Sequence, residues 1–211
     1  MSARDDVLDR IRAANAAAGN PEPVAVPRDY HHSGRLAAGS PELMELLVDR
    51  LVDYRATVLT APPDGVPDAI ARGLADAGVR GRVLVPPGLP DGWCPAGVPD
   101  DPGYTPYDLD GFDAVVTASA GACAQTGTIA LDGSPDQGRR AITLVPDVHV
   151  CVVRAEQVVE TVPELLARLE PTRPTTFVSG PSATSDIELE RVEGVHGPRT
   201  LVVVLVGRPS V

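Results

Sequence analysis

The chain has 211 residues, with 29 acidic against 18 basic side chains and a formal net charge of −11. All 18 cations are Arg and none is Lys, which excludes Schiff-base chemistry and a lysine-bearing P-loop. Scattered Arg in an acidic chain also excludes the concentrated basic face of a nucleic-acid binder.

Length suits one domain, or one with an appendage. Aromatics make up only 3% of residues, so the core must come from Val, Leu, Ile and Ala. No apolar run reaches the ~20 residues of a membrane span. The start, MSARDDVLDR, lacks the basic-then-apolar layout of a signal peptide, and the expected location is cytoplasmic. Cys94, Cys123 and Cys151 are widely spaced without C-x-x-C. That spacing favours buried thiols over a disulfide framework, a zinc site or an iron–sulfur cluster.

Residues 4–18 place Val7, Leu8, Ile11 and Ala14 on one helical face, and Gly19-Asn20-Pro21 stops the helix. Residues 21–39 read as a Pro-rich linker, so the expected organisation is an arm over 1–39 and an α/β domain over 40–211. Ser40-Pro41-Glu42 starts a helix that Leu43, Leu47, Leu51 and Tyr54 carry to about residue 55. Strands are expected at 57–60, 82–85, 114–117, 127–131, 142–145, 148–153, 176–178 and 201–206. Helices are expected at 67–77 and 156–169, with a short one near 186–191. Continuous apolar runs such as LVVVLV mark strands covered on both faces. The expected class is therefore α/β, with a mostly parallel sheet flanked by helices.

Two loops and two single residues carry the candidate chemistry. In Gln125-Thr126-Gly127-Thr128, hydroxyls and N–H groups suit an anion, or satisfy the turn's own backbone. In Ser179-Gly180-Pro181-Ser182-Ala183-Thr184-Ser185-Asp186, a strand-to-helix loop would offer Gly180, Ser182 and Thr184 to a phosphate or carboxylate. Ser185 and Glu188 also fit a capping box there. Arg139-Arg140 can fork a carboxylate or phosphate, or pair with nearby Asp. His196 is the best general acid/base candidate, with Asp186 as a second; His149 reads as structural. No spacing for a metal site is present.

In order along the chain, Thr126-Gly127-Thr128-Ile129, Arg139-Arg140, Leu144-Val145-Pro146-Asp147-Val148-His149-Val150, Ser179 to Glu188 and Gly194-Val195-His196-Gly197-Pro198 resemble the lactate utilization protein C family, the LUD domain. The resemblance covers roughly residues 110–207. It implies a fold like the sugar-phosphate isomerase and CoA-transferase superfamily. It also implies a place in a three-part system oxidising L-lactate to pyruvate. The other two parts are iron–sulfur proteins, so the clusters would lie in partners and this chain would hold no cofactor. The expected ligand is a small carboxylate or phosphorylated compound. Gln125 replaces the family's usual Glu, and Ala183 stands where a basic residue is common. Two other readings stay open: an independent isomerase or transferase acting on a sugar phosphate or CoA thioester, and a non-catalytic regulatory subunit.

Overall fold

A computed structural model describes residues 2–19, 24–29, 31–185, 191–194 and 196–207. The chain divides into two units, residues 1–30 and 31–211. The first holds α1 (Ala3–Ala17), opened by a capping box between Ser2 and Asp5. Residues 31–39 go with the second unit rather than with the arm. Gly39 N–H donates to Val158 O (3.2 Å), and the Glu160 carboxylate accepts the Leu36 N–H (2.7 Å).

The second unit contains α2 (Pro41–Asp53), α3 (Val66–Asp76), α4 (Pro106–Asp110) and α5 (Val162–Arg168). Its first strands are β1 (Thr57–Ala61), β2 (Val83–Val85), β3 (Val98–Pro99) and β4 (Ala114–Thr117). Then come β5 (Gly121–Cys123), β6 (Thr128–Leu131), β7 (Val148–Arg154) and β8 (Val158–Val159). β9 (Thr176–Val178), β10 (Ala183–Ser185), β11 (Arg191–Glu193) and β12 (Thr200–Val206) complete the set.

Six of these form one sheet in the order β1-β12-β7-β4-β2-β3, with every pair parallel. Alternation sends Leu201, Val203 and Leu205 of β12 toward one core and Val202, Val204 and Val206 toward another. Leu43, Leu47 and Leu51 of α2 fill the first, and Ile70 of α3 joins the second. The expected class holds: α/β, with a mostly parallel sheet flanked by helices.

A second sheet, β8-β5-β6-β9, contributes Ala122, Ile129, Leu131 and Val158 to the α2 core. Three expected elements change. Residues 142–145 are not a strand; Arg140–Thr143 is a 3-10 turn in which Thr143 Oγ1 donates to Arg140 O (3.1 Å). The expected helix over 156–169 shortens to α5. Pro163 opens it behind a Thr161–Glu164 capping box, and the β-branched pair Val158–Val159 joins the second sheet. Ser185 is in a strand rather than at a helix cap, because β10 and β11 pair antiparallel. Residues 186–190, with Asp186 and Glu188, lie outside the described residues.

Candidate ligand-binding site

Strand β7 is buried along most of its length and still carries a histidine: His149 is 2% exposed. Alternation puts it on the face of Cys151 and Val153, toward α2 and the second sheet. Register sets Thr117 of β4 opposite Cys151, one diagonal step from His149. His149 Nε2 and Thr117 Oγ1 lie 2.8 Å apart. Thr117 Oγ1 also reaches Cys151 Sγ as a donor, at 3.8 Å. Burial, then the nearby Arg140 charge, lower the His149 pKa to about 4, so the ring is neutral at pH 7. Burial likewise pushes the Cys151 thiol up to about 12.

His149 lines a cavity of about 210 Å³. Its other walls are the 3-10 turn, through Arg140 and Thr143, the end of β9, the loop Ser179–Ala183, the turn His196–Pro198 and Leu201. Arg140 is the one cation among the described lining residues. Its Nη1 donates to Thr143 Oγ1 (3.0 Å), and no carboxylate among the described residues pairs with it. The residue is open to solvent, yet partial burial of its guanidinium lowers the pKa from the usual arginine value. Ser182 Oγ accepts the His196 N–H (3.0 Å) and braces the turn against the loop.

The expected residues therefore separate. Arg140, Gly180, Ser182 and His196 meet at one cavity. Gln125, Thr126, Gly127 and Thr128 do not line it; they form the turn between β5 and β6. That turn reaches the rim through hydroxyls: Thr126 Oγ1 donates to Thr128 Oγ1 (2.8 Å), which lies 2.8 Å from Ser179 Oγ. Arg139 faces elsewhere. Its Nε and Nη2 grip the Asp100 carboxylate at 2.8 and 2.9 Å, and Nη2 also donates to Asp101 O and Tyr104 O. Thr184 is in β10, with a side chain outside the described residues, as is Asp186 altogether. Sequence alone marks neither His149 nor Thr143 for binding. The available signal was a titratable ring inside an apolar strand.

Both glycines of the two loops serve close approach to α2. Gly127 has φ +59, and a Cβ there would meet Arg50 Cβ at 2.9 Å. Gly180 has φ +85, and a Cβ would meet Tyr54 Cβ at 2.7 Å and its carbonyl oxygen at 2.8 Å.

The cavity lies at the amino ends of β7 and β12, not at the carboxyl ends where open α/β sheets usually bind ligands. The second sheet causes this, since β9 delivers the Ser179 loop there. The carboxyl-end cleft beside β4 is lined by Asp132, Asp136, Gln157 and Arg168. Asp132 pairs with Arg173 (3.2 Å), and the lining cation Arg168 donates to Glu156 O (2.8 Å) in a cleft that also carries two carboxylates. Among the described residues no three His, Cys, Asp or Glu side chains converge to hold a metal ion. No described helix is long and apolar enough to cross a membrane.

Comparison with known proteins supplies a lineage. The LUD domain family matches residues 108–206. A Deinococcus radiodurans protein named lactate utilization protein C is 44% identical over 207 residues, 95% of each chain. An uncharacterized Neisseria meningitidis protein, NMB1437, is 34% identical over 100 residues, 45% of this chain and 42% of that one. The crystal structure of a DUF162 family protein from Deinococcus radiodurans superposes with a TM-score of 0.68 at 40% identity, covering 82% of this chain and all of that one.

Proposed function

Because this chain belongs to the lactate utilization protein C family, with its LUD domain, we propose that it is a cytoplasmic accessory subunit in the oxidation of L-lactate to pyruvate. The observation that carries this reading is the end-to-end similarity to a relative named for lactate utilization. Iron–sulfur partner proteins supply the redox centres in this reading. Cys123 and Cys151 are buried in separate cores and cannot serve as cluster ligands without unfolding them. The subunit's own contribution is to hold a small anion in the Arg140–His149 cavity. Thr126 and Thr128 fix the rim rather than touch the ligand, and Gln125 donates its N–H to Glu160 O (3.1 Å) in the same turn.

A phosphorylated ligand, as the isomerase or transferase alternative requires, meets one Arg here. The residues after Ser182 form a strand, so that loop aims no helix N-terminus at the cavity. The test is co-purification of the tagged chain from lactate-grown cells, with iron analysis of what it brings down and lactate-dependent dye reduction by the assembly. Iron-containing partners and a loss of dye reduction when the chain is withheld are expected. Unchanged dye reduction without it overturns the reading.

A further inference from the structure

We propose that the cavity is a binding site for small 2-hydroxy and 2-oxo monocarboxylates, with the carboxylate on the Arg140 guanidinium and the C2 oxygen on His149 Nδ1. The choice of acid rests on the lactate reading above, while the chemistry of the site argues for the class independently.

Charge comes first. Arg140 has no carboxylate partner among the described residues, and its guanidinium is partly desolvated at a cavity wall. A single guanidinium matches one carboxylate, which it holds through parallel N–H donors. A phosphate dianion would leave about half its charge unmatched. Size agrees: about 210 Å³ falls below the ~300 Å³ at which drug-sized pockets begin.

Hydrogen bonding then selects the second contact. His149 is 2% exposed and lines the cavity, and Thr117 occupies its Nε2. Nδ1 has no partner among the described residues, and a buried polar atom in that state calls for a ligand or water. The neutral ring offers either a lone pair or an N–H at Nδ1, depending on tautomer. Thr117 sets which one. When its hydroxyl donates to Cys151 Sγ, it accepts from Nε2–H, and Nδ1 accepts the O–H of a hydroxy acid. When its hydroxyl donates to Nε2 instead, Nδ1–H donates to the carbonyl of an oxo acid. A hydroxyl rotation together with a change of ring tautomer, one proton leaving Nε2 and one arriving at Nδ1 by exchange with water, lets the same site hold both members of the redox couple.

The test is calorimetric titration of the full chain with L-lactate, pyruvate, acetate and inorganic phosphate. Lactate and pyruvate are expected to bind, and acetate, which lacks the C2 oxygen, at least about tenfold more weakly. Arg140→Gln should weaken both C2 acids by about a hundredfold. Equal binding of acetate and lactate overturns the His149 contact, and tighter binding of phosphate overturns the monocarboxylate class. Because His149 substitutions can unfold the core, ¹⁵N spectra of the wild-type ring provide the second measurement. Saturating lactate should drive the Nε2–H tautomer and pyruvate the Nδ1–H tautomer; an unchanged ring in both overturns the proposal. If the chain proves necessary for dye reduction yet binds neither acid, this inference falls and the subunit reading stands. Binding without necessity gives the converse.

Discussion

Two adjacent arginines show how little identity says about role. Arg139 makes a bidentate pair with Asp100, whose side chain is 6% exposed, and also caps two carbonyls. Arg140 has no such partner. Arg139→Gln should cost about 2–3 kcal/mol in urea unfolding, because it strands a buried carboxylate. Arg140→Gln should change stability by less than about 0.5 kcal/mol and appear only in binding. His149 makes the matching pH prediction. Unfolded, it takes its proton near the ordinary 6.5; folded, only near 4. The unfolded state therefore binds more protons between those values. Stability is full above about 6.5 and falls by up to about 3 kcal/mol as pH drops toward 4. Asp132 and Asp147, whose pKa values the fold lowers, add acid lability of their own. The difference between wild-type and His149→Gln unfolding at pH 7 and pH 4.5 isolates the histidine. Parallel curves would remove it as the cause.

At the scale of elements, the two loops named by composition do meet at the cavity rim, though they are shaped by α2. Gly180 at φ +85 against the backbone and Cβ of Tyr54 leaves no room for a side chain. Gly180→Ala should cost about 2–4 kcal/mol, summing αL strain and overpacking, and should lower the thermal midpoint by several degrees. A neutral effect would mean the loop moves freely over the helix end. The long helices and the buried parallel strands were legible in sequence because periodicity, Ser40 as cap and runs such as LVVVLV are local signals. Short pieces were not. β5 is Gly-Ala-Cys and β8 is two valines, and each is a strand only because the second sheet supplies its neighbours. Residues 142–145 look like a strand because Ile142 is apolar, but it packs with Leu84, Leu109 and Phe112 from a 3-10 turn. Likewise Arg140 was legible as a candidate, whereas nothing in sequence separated it from Arg139. What separates them is Asp100, 39 residues from Arg139 in sequence and brought to it by the fold, while Arg140, among the described residues, bonds only the nearby Thr143.

For the second unit as a whole, the six-stranded sheet is a shared wall between two cores. Leu47 of α2 packs on one side and Ile70 of α3 on the other, while β12 sends alternate residues to both. Removing either side chain leaves a cavity worth about 2–5 kcal/mol. Because β12 and β7 cannot keep one face ordered while losing the other, the damage must spread through the sheet. The chain reports this itself: its single tryptophan, Trp93, packs against the α3-side core, far in connectivity from α2. Leu47→Ala should therefore lower the urea midpoint seen by Trp93 fluorescence as much as that seen by far-UV circular dichroism. Ile70→Ala should behave the same way, with coincident curves in both variants. If Leu47→Ala shifts the dichroism midpoint and leaves Trp93 behind, the α2 layer and second sheet unfold separately. The cavity, built between that layer and the amino ends of β7 and β12, would then open before the main sheet does.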